Sequence, residues 1–302
     1  MGINRRQFLA ASAVTAAAQT RSGSLPFPKP RTTPPICLYS QAVIKIEYAD
    51  LGPILSGMGF DGCNLSVQDG GHVAPNQASL DLVRAVEALR GAGVDVPVIT
   101  TALTAADDPD SREVLGIGGI LKVPLFRPGR WKYGGGDVMA RLAEVRRDIA
   151  TLGGLGRAAG MAMAIHNQPG GNVGQAIWDT DAMIRGMDPQ AVGYDFDAGF
   201  AAAAGEDGWT LALRLALPRL KMITAHDFYW ARGEGGRWKM TPCPLGEGMV
   251  DWPRLFAALA RAGFRGPVSL EIDYESKNEV PAIQRDLEFL KKQVAAAYST
   301  HQ

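Results

Sequence analysis

Cysteine is scarce in this sequence, neither sign of charge predominates, and no glycine-rich dinucleotide turn follows the first apolar run. The three cysteines among 302 residues, Cys37, Cys63 and Cys243, are too few for a disulfide scaffold. They lack the CxxC spacing of zinc sites and read as small buried apolar residues. Thirty-one basic residues are balanced by 31 acidic ones, and no basic run breaks that balance. A nucleic-acid or anionic-membrane partner therefore has no electrostatic footprint here.

What is present is enough apolar material, 46% of the chain, to bury one large α/β core or two smaller ones. The N-terminus differs from the rest. Arg5-Arg6-Gln7-Phe8-Leu9 precedes the small, apolar run from Ala10 to Ala18, and no acid occurs before Glu47. A charged start, a short apolar stretch and an Ala16-Ala17-Ala18 site predict an export signal over residues 1–18. The arginine pair resembles a twin-arginine signal, which implies a periplasmic or extracellular protein. The apolar stretch is too short for a permanent membrane anchor. Residues 19–35, rich in Pro, Ser and Thr, read as a flexible tether.

From residue 36 short apolar runs alternate with longer segments of helical period, the pattern of βα units on a parallel sheet. Strands are predicted at 36–40, 62–67, 96–101, 118–123, 161–166, 191–196, 220–225 and 267–272. Val138, Leu142, Val145, Ile149 and Leu152 form one helical stripe behind Asp137, a capping residue. Ile283, Leu287, Leu290 and Val294 form another, and Asp251-Trp252-Pro253 opens a helix that Gly263 ends. Eight such units over residues 36–298 predict a single-domain (β/α)8 TIM barrel. The rival is a doubly wound open sheet, which the missing glycine turn disfavours.

In a barrel the active site lies at the C-terminal ends of the strands. Those positions hold Gln68, Asp69 and His72; Arg127 and Lys132; His166, Asn167 and Gln168; Asp195 and Asp197; His226 and Asp227; and Glu271. Strands five to eight thus end in His, Asp, His/Asp and Glu. Neighbouring strands lie roughly 5 Å apart, so His166, Asp197, His226 and Glu271 can converge on one divalent ion. Imidazole with carboxylates suits Mn, Fe, Co or Zn. Asp195 and Asp197 share a face, whereas His226 and Asp227 face opposite ways. His72, Asn167, Arg127, Asp195, Asp227 and Trp230 are the expected substrate contacts, with the indoles of Trp230 and Trp238 able to stack on a sugar ring or pack their own loop.

Three segments carry a family resemblance. Asp197-Ala198-Gly199-Phe200 resembles the strand-six segment of the xylose isomerase-like sugar isomerase/epimerase barrels. The stretch from Leu245 to Trp252 is similar to their G-x-G-x-(V/I)-(D/N)-W approach to the seventh helix. Gly266 to Glu271 resembles their last strand, which ends on a ligand Glu. The resemblance implies one divalent cation held by Glu, Asp, His and Glu on strands five to eight, with the two Glu residues exchanging a substrate proton. This sequence keeps Asp197 and Glu271, has His166 in place of the strand-five Glu, Thr224 in place of the strand-seven His, and Phe200 in place of a His. His166 and Glu271 are the expected acid–base pair. The expected activity is a metal-assisted isomerisation or epimerisation of a non-phosphorylated sugar or keto-sugar. The alternatives are a single-base lyase or hydratase, a carbohydrate-binding barrel without a metal, and a glycosidase using Asp197 and Glu271.

Overall fold

A computed structural model of the chain describes residues 32–299; the expected export signal and most of the tether lie outside them. Eight parallel strands close a barrel. They are β1 (Ile36–Tyr39), β2 (Gly62–Val67), β3 (Asp95–Thr101), β4 (Leu125–Arg127), β5 (Ala162–His166), β6 (Val192–Asp197), β7 (Leu220–Ala225) and β10 (Val268–Leu270), which returns to β1. The ring of helices comprises α1 (Tyr48–Met58), α2 (Val83–Gly91), α3 (Pro109–Ile120), α4 (Val138–Ala158), α5 (Ile177–Ile184), the short α6 (Ala198–Ala202), α7 (Glu206–Ala216), α8 (Trp252–Arg261) and α9 (Glu279–Ser299). The expected TIM barrel is thus the observed fold.

Helix boundaries follow their caps. Asp137 accepts a 2.6 Å hydrogen bond from Ala140 N at the start of α4, and Asp251 accepts one from Arg254 N at the start of α8. Val145, Ile149 and Leu152 are buried as the stripe predicts, but Val138 at the helix start is exposed. All four α9 positions of the second stripe are buried. The three cysteines are buried and free. Among the described residues no helix is long and apolar enough to cross a membrane.

Strand four is displaced from its expected place at 118–123. Helix α3 runs through Gly118 and Gly119 instead, and β4 begins at Leu125. A Cβ on Gly119 would lie 2.1 Å from Ala159 O, and one on Gly118 would lie 2.8 Å from Met161 Sδ. These glycines let the helix pack against the chain entering β5; they do not end it. The aromatic loop after β7 is also more ordered than predicted. It forms an antiparallel hairpin, β8 (Asp227–Arg232) and β9 (Trp238–Cys243).

Inside the barrel, Val98, Leu125, Ala164 and Met222 form a small apolar layer separate from the main core. Two residues further along those strands stand Thr100, Arg127, His166 and Thr224. The two-residue period of a strand turns them to the same interior, one level nearer the C-terminal mouth. Asn64 crosses this level, accepting from Thr100 Oγ1 at 2.7 Å and donating to Ser269 Oγ at 3.0 Å. The barrel is apolar below and polar at its mouth.

Candidate active site

At that mouth lies a cavity of about 830 Å³ whose wall includes Arg127, His166 and Glu271. A second depression, of about 920 Å³, lies between the hairpin and residues 273–278 and shares Asp273 with the first.

Two networks organise the floor. In the first, the Arg127 guanidinium donates to Glu271 Oε1 from Nη1 and to Thr224 Oγ1 from Nη2, both at 2.6 Å. Its Nε lies 2.7 Å from Asp195 Oδ2, in ion-pair contact but out of line for a hydrogen bond. Thr224 in turn donates to Asp195 Oδ1 at 2.8 Å. Burial works against the Arg127 charge, but Asp195 and Glu271 outweigh it and hold the guanidinium firmly protonated. Burial also pushes the Asp195 carboxyl up, and Arg127 offsets this in part. Among the described residues Glu271 Oε2 makes no hydrogen bond, so one carboxylate oxygen remains for a ligand.

In the second network Asp197 is the hub. Its Oδ2 receives His166 Nε2 at 2.9 Å, and His226 Nδ1 lies 3.0 Å from the same oxygen, again out of line. Its Oδ1 accepts from Phe200 N and caps α6. Asn167 accepts from Asp197 N at 2.8 Å and donates to its carbonyl at 3.2 Å, locking β5 to β6. Burial alone would raise the Asp197 carboxyl, but the His226 charge and the His166 hydrogen bond hold it down at about 2. Burial likewise opposes the His226 charge, yet Asp197 lifts that imidazole to about 9. Phe200, where a His was the family expectation, packs edge-on against His226 at 4.5 Å between centroids. Gly199 makes room for that ring, because a Cβ there would meet His226 Nε2 at 2.4 Å.

Other expected contacts lie elsewhere. His72 has both ring nitrogens engaged, at 3.0 Å from Ser40 Oγ and from Ile46 O, so it braces the loop after β1. Asp227 faces away from the barrel interior, as alternation with His226 requires. Its Oδ1 accepts from Phe228 N and Val250 N, and its Oδ2 from Gly246 N and Trp252 Nε1. The expectation that Asp227 binds substrate is therefore corrected: both oxygens are spent on fixing the hairpin base to the 246–252 segment. Gly248 permits the approach, since a Cβ there would lie 2.1 Å from Asp227 Oδ1. Trp230 stands on the hairpin's outer face with Trp238, 41% and 61% exposed, apart from the central cavity.

Sequence reasoning missed several cavity residues, Tyr39, Asp273, Trp131 and Asn172 among them. Tyr39 ends β1 and lies under the Arg127 guanidinium, 5.6 Å from its ring centroid; burial, then the Glu271 charge, raises its hydroxyl. Extending the strand-end rule to β1 would have found it. Asp273 lies two residues beyond Glu271, on the same alternation, and burial with the Glu271 charge raises its carboxyl. Trp131 and Asn172 are buried in the cavity wall, and Trp131 Nε1 and Asn172 Oδ1 have no hydrogen-bond partner.

The chain matches the xylose isomerase-like TIM barrel family over residues 54–293. It belongs to that family. No curated protein sequence matches it at a meaningful level. Among solved members of the fold it is similar to three informative structures. The 3-keto-D-glucoside 4-epimerase from E. coli is 15% identical, with a TM-score of 0.68 over 86% of this chain and 99% of that one. A xylose isomerase-like TIM barrel protein from Mycobacterium smegmatis, in complex with magnesium, is 15% identical, with a TM-score of 0.65 over 88% and 97%. Mannonate dehydratase from Streptococcus suis is 14% identical, with a TM-score of 0.65 over 89% and 94%.

A cation in this xylose isomerase-like barrel would need the expected set His166, Asp197, His226 and Glu271 to face one point. The set is instead split between the two networks. Glu271 is paired with Arg127, and Asp197 has both oxygens taken by imidazoles and a helix cap. Among the described residues no group of three or more His, Cys, Asp or Glu is arranged to hold a metal. The donor set does not fit the expected Mn, Co, Fe or Zn ion.

Proposed function

We propose that this protein is a sugar isomerase or epimerase that moves a proton next to a carbonyl of a non-phosphorylated sugar or keto-sugar. One observation carries the reading. The cavity at the strand ends brings a carboxylate with an unpartnered oxygen, Glu271, onto the same wall as an imidazole, His166. Glu271 Oε2 is the base for the carbon-bound proton. His166, held through Nε2 by Asp197, keeps Nδ1 for the acid role. Trp131 Nε1, a donor, and Asn172 Oδ1, an acceptor, are buried without partners on that wall.

A second reading has its own support. The two matched carboxylates implied by the family resemblance are here one carboxylate and one imidazole, groups of unlike acidity. Such a pair suits β-elimination, in which Glu271 removes a proton and His166 protonates the departing hydroxyl on the next carbon.

The test is turnover of a panel of keto-sugars and sugar acids in D2O. Glu271→Gln keeps shape and should lower turnover by about 10²–10⁴. Near-normal turnover by Glu271→Gln on an identified substrate would remove Glu271 from the base role. Deuterium on a retained carbon marks isomerisation or epimerisation, whereas loss of water with an unsaturated or keto product marks elimination.

A further inference from the structure

We infer that Arg127 supplies, as a fixed part of the chain, the positive charge that a divalent cation would bring to this barrel mouth, and that the protein works as a metal-free member of its fold. The resemblance puts a cation between the ends of strands five to eight, and the M. smegmatis relative was solved with magnesium. In this chain two of the four corresponding positions, Thr224 and Glu271, are occupied by one guanidinium. It bonds both at 2.6 Å and reaches a third strand through Asp195.

Space and charge both argue for replacement. A metal on a carboxylate oxygen sits at roughly 2.0–2.2 Å; Glu271 Oε1 already has a guanidinium nitrogen at 2.6 Å, so only Oε2 is open, beside that fixed charge. A dication there would face an adjacent fixed cation. Nor is Arg127 free to leave. It is 5% exposed, reaches three strands, and lies against the Tyr39 ring. Withdrawing it would strand Asp195, which is fully buried, without its counter-ion, and an unpaired buried charge is strongly destabilising. The strand-seven position points the same way. A threonine hydroxyl is a weak ligand for a transition metal but a good acceptor for a guanidinium N–H, while donating its own proton to Asp195.

The arrangement also assigns Arg127 a task. A guanidinium is planar, permanently charged and rigid in its donors, so it can stabilise developing negative charge without a bound ion. That part of the inference rests on the proton-transfer reading above; the absence of a metal requirement does not.

The test reads metal directly, with no substrate needed. The purified full chain is incubated with Mn, Co, Mg or Zn, desalted, and measured for retained metal and for melting temperature with and without chelator. The expected result is far less than one metal per chain and an unshifted melting temperature with every ion. Retention near one equivalent that falls sharply in both Asp197→Asn and Glu271→Gln would overturn the inference. A gain-of-function arm adds a second reading. Arg127→Gln with Thr224→His frees Glu271 and restores an imidazole, so it should acquire cobalt absorption bands that the unmodified protein lacks. Cobalt bands in the unmodified protein itself would count against Arg127, whether or not the double variant folds.

Discussion

Replacing Asp227 by Asn is the most informative single change for separating architecture from chemistry. The carboxylate is 1% exposed and accepts four hydrogen bonds at 2.8–3.1 Å, from Phe228 N, Val250 N, Gly246 N and Trp252 Nε1. Asn preserves the shape but turns one acceptor oxygen into an NH2 group facing two donors. Two bonds are lost, and one buried and one partly buried N–H group are left without partners. At roughly 1.5–3 kcal/mol for each hydrogen bond to a charged group, the expected loss is about 3–6 kcal/mol. Against the roughly 5–15 kcal/mol that separates folded from unfolded domains, that is a large fraction. Urea unfolding should show it as a lower midpoint. Hydrogen exchange should show it as faster opening of residues 244–252 and of the hairpin. Were Asp227 a substrate ligand instead, the variant would unfold like the parent and lose turnover. An unfolding free energy within about 1 kcal/mol of the parent, with exchange at 244–252 unchanged, would refute the caging role.

Two further outcomes follow from other parts of the molecule. His226 is lifted from 6.5 to about 9, so the stability from its contact with Asp197 is fully present below pH 6.5 and is lost as pH rises through 9. The shift corresponds to roughly 3 kcal/mol; urea midpoints should fall over that window in the parent and stay flatter in His226→Gln, and parallel profiles would refute the pairing. We propose that residues 1–18 direct export by the twin-arginine route, so changing Arg5 and Arg6 together to Lys should hold folded precursor inside the cell, and undiminished export would remove the assignment.

Periodicity made most of the barrel legible. The edges of β2 and β7 fall at their expected residues, because apolar runs there are bounded by turn chemistry. β4 lies beyond its expected place because Gly118 and Gly119 belong to a helix and form its contact surface against residues 159–161. The strand-end rule selected Arg127, His166, Asp195, Asp197, His226 and Glu271 correctly as residues of the barrel mouth. It could not pair them. Arg127 meets Thr224 and Glu271 across 97 and 144 residues of chain, and nothing local in the sequence encodes which cation faces which carboxylate. The role of Asp227 was hidden for the same reason. Three of its four partners lie about twenty residues downstream, in a motif whose Gly248 is explained only by the carboxylate it approaches.

His226 and Asp227 are neighbours with opposite duties, one turned inward to Asp197 and the other outward to hold the 246–252 segment. Their adjacency makes the end of β7 a firewall between the Asp197 network and the hairpin. Because the outward clamp grips the hairpin at its root, residues between Phe228 and Pro242 can be lengthened, shortened or exchanged without pulling on the imidazole next door. A barrel built this way can vary its hairpin, which lines the neighbouring depression and not the central cavity, while leaving its reacting groups where they stand.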